Sequence, residues 1–347
     1  MWRALPLLLL LSLVANAQPP TRRIEITDRQ SVQATIGYEL RSRDFAVTRW
    51  LAYIAEPPEH PSQTKLKVVC DPAGKVVTEK GPLARKVHLF DVSLPNPTAG
   101  AKLTIKQDIS AVLRSRKLVP IAEGDKIPVV PPLTAAERKY YTAVSKRYDY
   151  DKMEFKAWIA GKRLTRDKGE SAFDYAERVL AIIRSDFAYR FDPAEERRAS
   201  ITCSRNATDC GGMTILLVSA LRAHDIAART IVGRYAKPRR EGAVPGDLEY
   251  DQPHVRAEFF VPGVGWVPVD PTQANRNTDT PLAEFIGRDP GDMIVLHVDF
   301  DLRLQVLDKE QSTDLLQMEP LFWAVGRGKL DVFLAPTKWE LKATPIK

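Results

Sequence analysis

A chain of 347 residues is long enough for two domains. Hydrophobic residues make up 44% and charged residues 27%, the balance of a folded, soluble protein and not of a disordered one. The net charge of +7 is dispersed and so argues against a nucleic-acid binder; its one dense run is Lys237-Pro238-Arg239-Arg240.

The first residues combine Met1-Trp2-Arg3, a Leu-rich run over Ala4–Val14 and Ala15-Asn16-Ala17. A cationic start, a short apolar core and an Ala-x-Ala site make residues 1–17 a signal peptide, which predicts cleavage after Ala17 and a secreted or periplasmic product. No later run approaches the roughly 20 apolar residues of a membrane span. Residues 22–125 read as an antiparallel β-sandwich, with partly alternating runs at Arg23–Thr27, Val32–Leu40, Lys65–Val69, Arg85–Leu94 and Lys102–Ile109. His60 and His88 stand alone there and read as surface or packing residues. Residues 126–133, with Pro128-Val129-Val130-Pro131-Pro132, read as a linker to a domain over 134–347.

Thr134 with Glu137, and Ser171 with Asp174, fit capping patterns at helix starts. After the second, Phe173, Ala176, Val179, Leu180 and Ile183 form one apolar stripe. Thr208-Asp209-Cys210-Gly211-Gly212-Met213 then opens a helix that is apolar on most sides through Ala223, with Asp209 or Thr208 as the cap. Cys210 falls at its positive end, which predicts a lowered thiol pKa, and two glycines leave the sulfur unobstructed. A strand over Ala228–Tyr235 precedes a hairpin, His254–Val261 and Trp266–Asp270, joined by turn residues. A three-residue loop at 262–264 pairs Val261 with Gly265 and sets Asp270 opposite Arg256, diagonal to His254 on one face; a two-residue turn would put the two on opposite faces. Asp270 before Pro271 also fits the start of a turn. Strand-like runs at 293–307 and 329–341 are expected to close the core sheet.

A thiol at a helix head, an imidazole and a carboxylate are the parts of a nucleophilic acyl-transfer site: Cys210 to attack, His254 as base and then acid, Asp270 to orient the imidazole. Three separated blocks support this. They are Asp209-Cys210-Gly211-Gly212-Met213, Ala220–Tyr235, and His254–Val261 with Trp266–Thr272. Together, over about 170–275, they resemble the transglutaminase-like superfamily, in its bacterial extracytoplasmic type. The resemblance implies an α+β fold with a papain-like core of helices and antiparallel sheet, and the triad roles for Cys210, His254 and Asp270. Three positions depart from it: Asp225 and Ala227 stand where members often have Gly and Pro, and Arg256 where many have Trp. Asp225 can still take the left-handed turn. Arg256 could alter the His–Asp protonation or select an acidic substrate.

The expected activity is thiol-dependent acyl transfer on amide bonds, as a peptidase or amidase or as a protein-glutamine transferase, on a protein or peptide substrate. An anionic substrate fits the basic run at 237–240. No cofactor or metal is called for. The Cys210 N–H is the expected first oxyanion donor, with Asn206 and Ser204 as candidates for the second. Of the three cysteines, Cys70 and Cys203 could pair, whereas a Cys203–Cys210 bond would block the thiol. The alternative is a non-catalytic secreted binding or assembly protein on the same scaffold.

Overall fold

The computed structural model describes residues 21–192, 194–237, 253–313 and 320–346. The expected signal peptide lies outside the described residues, as do Arg239 and Arg240. Among the described residues no helix is long and apolar enough to cross a membrane.

The strand-rich N-terminal region comprises β1 (Arg22–Ser42), β2 (Ala46–Ala55), β3 (Gln63–Asp71), β4 (Lys75–Thr78), β5 (Lys86–Thr98) and β6 (Lys102–Pro120). β1 and β6 pair antiparallel from Arg22↔Pro120 to Arg41↔Lys102. The two runs expected within β1 are one strand, interrupted only by an irregularity between Asp28 and Gln30. Along β1, Val32, Ala34, Ile36, Tyr38 and Leu40 are buried, the period of two that puts one face on a core. They meet Trp50, Ile54, Phe90 and Trp339 in one apolar cluster. β2 escapes a sequence reading because Leu51 through Ala55 are all buried, which erases the alternation.

The helical half follows an irregular segment: α1 (Ala135–Tyr141), α2 (Met153–Gly161) and α3 (Ala172–Asp186). Thr134 and Glu137 form a reciprocal capping box on α1, and Ser171 accepts from the Asp174 N–H at the head of α3. Next come β7 (Ala188–Tyr189), α4 (Ala199–Thr202), β8 (Ala207–Thr208) and α5 (Cys210–Ala223). Every α5 residue from Cys210 to Arg222 is buried. The helix ends with Asp225 at φ 59°, the left-handed turn its sequence allows.

The core sheet runs β11-β10-β9-β13, from β9 (Ala228–Tyr235), β10 (Pro253–Val261), β11 (Gly265–Val269) and β13 (Met293–Val298). A Cβ on Gly233 would lie 2.0 Å from the Ile294 carbonyl oxygen, so glycine alone permits the β9–β13 approach. Between these strands lie α6 (Pro271–Arg276), a 3-10 turn over Leu282–Phe285 and β12 (Arg288–Asp289), which pairs with β6.

The expectation for the C-terminal strands is corrected. β13 joins the core sheet, but among the described residues β14 (Leu302–Val306) pairs only with β15 (Lys309–Thr313). β16 (Leu321–Arg327) pairs with β2, and β17 (Val332–Leu334) and β18 (Lys338–Pro345) both pair with β1. Trp339 supplies the reason: its fully buried ring fills the N-terminal cluster. The end of the chain thus completes the sheets that its beginning starts.

Candidate active site

The head of α5 is built from both sides. The Asp209 carboxylate accepts the Gly212 N–H at 3.1 Å and takes a forked contact from Arg197, whose Nε lies at 2.9 Å and Nη2 at 2.6 Å. Thr208 donates its hydroxyl to Glu195 at 2.8 Å. A Cβ on Gly212 would sit 1.9 Å from that hydroxyl oxygen, so this glycine is required by Thr208 and not by the sulfur.

The expected lowering of the thiol pKa is not found. Burial pushes the Cys210 thiol up to about 12, and the Asp209 charge adds to the rise. The Val255 and Gly211 N–H groups favour the anion but are outweighed. Magnitudes explain why: a helix terminus contributes about 0.3–1 kcal/mol, whereas full burial can shift a pKa by several units. The thiol is therefore held neutral beside the strand that carries His254. Thr214 ties α5 to that strand through the Val255 carbonyl at 3.3 Å.

The hairpin pairs Val261↔Gly265 through Ala257↔Val269, and Gly263 and Gly265 take positive φ in its turn. One step further sets Asp270 opposite Arg256. His254 Nε2 lies 2.8 Å from Asp270 Oδ2, and the Tyr235 ring stacks on the imidazole at 4.7 Å and 20°. Asp270 Oδ1 accepts the Gln273 N–H at 3.0 Å, so the residue also caps α6. Orienting and capping are both satisfied by one carboxylate. Burial opposes its ionisation, but His254, Arg256 and the Gln273 N–H together hold it well below the usual carboxylate range.

Arg256 is buried and fully engaged. It donates from Nε to Asp270 Oδ2 at 3.1 Å, from Nη1 to Asp289 at 3.0 Å and from Nη2 to Asp292 at 2.7 Å. A guanidinium spent on three carboxylates cannot read an acidic substrate, which removes that expectation. Along β10 the polar His254, Arg256 and Glu258 alternate with Val255, Ala257 and Phe259, and all six are buried. Buried charge at every second position calls for partners, but the sequence does not say which. Asp289, Asp292, Arg197 and Tyr235 were not anticipated.

Other candidates fall away from this centre. Ser204 is exposed and donates to the Ile201 carbonyl at 2.8 Å, and Asn206 is exposed, so neither is arranged as an oxyanion donor. Cys70, Cys203 and Cys210 are free thiols; Cys70 packs on the N-terminal cluster and Cys203 in the helical core. Burial raises the Cys203 thiol to about 11 and the Cys70 thiol to about 12. His60 and His88 are buried against Glu258 and Glu56 rather than lying on the surface.

Residues 160–271 match the family described as the transglutaminase-like superfamily, and this part of the chain is a domain of that kind. A solved structure from Cytophaga hutchinsonii, provisionally assigned as a cysteine protease, is similar over 93% of this chain and 93% of its own, with TM-score 0.57 and 13% identity. At that identity the likeness shows the fold: helices and antiparallel sheet in a transglutaminase-like core, preceded by a strand-rich region. The periplasmic domain of TgpA from Pseudomonas aeruginosa overlaps 68% of this chain and 93% of its own, at TM-score 0.35 and 13% identity. No curated protein matches the chain.

Proposed function

We propose that the protein is a thiol enzyme that transfers the acyl group of an amide, with Cys210 as nucleophile, His254 as general base and acid, and Asp270 as the group that orients the imidazole. The observation that carries this reading is the 2.8 Å contact between His254 Nε2 and Asp270 Oδ2. With Nε2 donating to the carboxylate, Nδ1 keeps the lone pair that accepts the thiol proton. Because burial keeps the thiol neutral, the thiolate forms as the proton passes to His254 during attack, and not as a resting ion pair. The sulfur bonds to the carbonyl carbon, His254 protonates the departing amine, and a thioester remains on Cys210. Water then releases an acid, which is peptidase or amidase chemistry; an amine releases a new amide, which is transamidation. The protein works outside the cytoplasm, on the reading of residues 1–17 as a cleaved leader.

A non-catalytic binding or assembly role is the second reading, and the neutral, buried thiol favours it. Incubation of wild type and Cys210→Ala with a peptide mixture separates the two. Release of new termini, ammonia or amine-labelled peptides by wild type alone supports the enzyme; identical, unchanged mixtures support the scaffold.

A further inference from the structure

The oxygen of Asp270 that meets His254 is also held by a chain of contacts from outside the 160–271 domain. Asp270 Oδ2 accepts Arg256 Nε at 3.1 Å; Arg256 Nη1 donates to Asp289 Oδ1 at 3.0 Å; Asp289 Oδ2 accepts the Ser62 hydroxyl at 2.5 Å. Ser62 is itself fixed. Its N–H donates to His60 Nδ1 at 3.2 Å, its carbonyl accepts the Arg114 N–H at 2.8 Å, and Arg116 reaches its hydroxyl at 3.4 Å. Asp289 pairs in register with Arg116 where β12 joins the N-terminal sheet. Ser62, Arg116, Arg256 and Asp289 are all buried.

We infer that Ser62, Asp289 and Arg256 are positioning residues for Asp270, so that the N-terminal strand region sets the geometry of the His–Asp pair. The inference rests on the proposed roles of His254 and Asp270. Arg256 does not simply neutralise a neighbour: its Nε shares one oxygen with the imidazole, so displacing the guanidinium moves or recharges that oxygen. Asp289, with its second contact to the Gly291 N–H at 3.0 Å, and Asp292 fix the other end of the guanidinium. The groups facing this cluster are His254 and Arg256 on β10, Asp270 at the cap of α6, Tyr235 on β9, Arg116 on β6, and Asp289 and Asp292 around β12.

The tautomer of His254 tests this without a substrate. Full-length protein labelled with nitrogen-15 histidine is compared by long-range proton–nitrogen correlation as wild type, Ser62→Ala, Asp289→Asn and Arg256→Gln, with His254→Gln to assign the signal. The inference expects the Nε2–H tautomer in wild type. It expects loss of that single tautomer in Asp289→Asn and Arg256→Gln, with a smaller change in Ser62→Ala. In an Asp270→Asn background the same changes should add nothing, because they act through that carboxylate. Should Arg256→Gln fail to fold, Ser62→Ala and Asp289→Asn decide. A wild-type Nε2–H signal left unchanged in those two folded variants overturns the inference alone. A wild-type Nδ1–H tautomer overturns both the inference and the triad reading beneath it.

Discussion

His254 and Asp270 face one another because the hairpin between them spends three residues, 262–264, on its turn. That parity places both side chains on the same side of the sheet and brings Nε2 within 2.8 Å of Oδ2. A loop one residue shorter would reverse every side chain of β11 relative to β10.

Asp270→Asn should separate the two duties of this residue. Asparagine caps a helix nearly as well as aspartate, so α6 should persist, while turnover falls by orders of magnitude because the amide can hold the wrong tautomer. Acid dependence follows from the sign of the shift. The folded pKa is depressed, so this carboxylate stabilises the fold fully above the ordinary aspartate value near pH 3.9. That stabilisation is lost as pH falls from about 5 toward the lower folded value. Wild type should therefore lose an advantage over Asp270→Asn on acidification, measured by denaturant midpoints between about pH 5 and 2. A constant difference would contradict the assignment.

The free thiol should be slow to alkylate at neutral pH. With Cys210 pushed up to about 12 by burial, its reaction with iodoacetamide should rise through the alkaline range without a plateau below pH 8.5, the ordinary thiol value. A fast plateau in the neutral range, mapped to Cys210 by mass spectrometry, would mean a resting thiolate and a different mechanism.

Gly212→Ala should cost about 1–3 kcal/mol, because its methyl group meets the Thr208 hydroxyl oxygen at 1.9 Å in a packed core. Adding Thr208→Ala should restore part of that loss in thermal unfolding. No rescue would show that backbone freedom and not the clash requires this glycine.

Trp266 packs edge-on against Tyr141 at 4.8 Å and Phe260 at 5.5 Å, with the Arg229 guanidinium 3.9 Å from its ring centre. It is half-buried, so Trp266→Ala should cost about 2–3 kcal/mol, below the roughly 3–5 of a fully buried aromatic. An unchanged melting temperature would remove its structural role.

The cysteine helix and the two strands of the hairpin are legible in the sequence because each depends on local chemistry, a cap and a turn. The register is not, because the turn residues admit loops of two or three residues and only the pairing of Val261 with Gly265 decides. Nor is the pairing of β18 with β1, since an alternating run does not name a partner some 300 residues away, and Trp339 fits either sheet on hydrophobicity alone. The raised thiol pKa departs from the helix-end expectation for a related reason. Helix-end polarity can be read from Asp209-Cys210, but burial arises only when α5 packs on β10. Arg256 stood out as unusual, yet its partners Asp289 and Asp292 carry no spacing signal that ties them to it.

Intact-mass analysis after acid quench tests most directly whether Cys210 carries the acyl group. Wild type mixed with an amide-bearing peptide pool should show a mass increase equal to a peptide acyl group, localised to Cys210 and removed by hydroxylamine. The folded Cys210→Ala protein should show none. Equal turnover by wild type and Cys210→Ala, or an acyl group found on Cys203 instead, would contradict that role for Cys210.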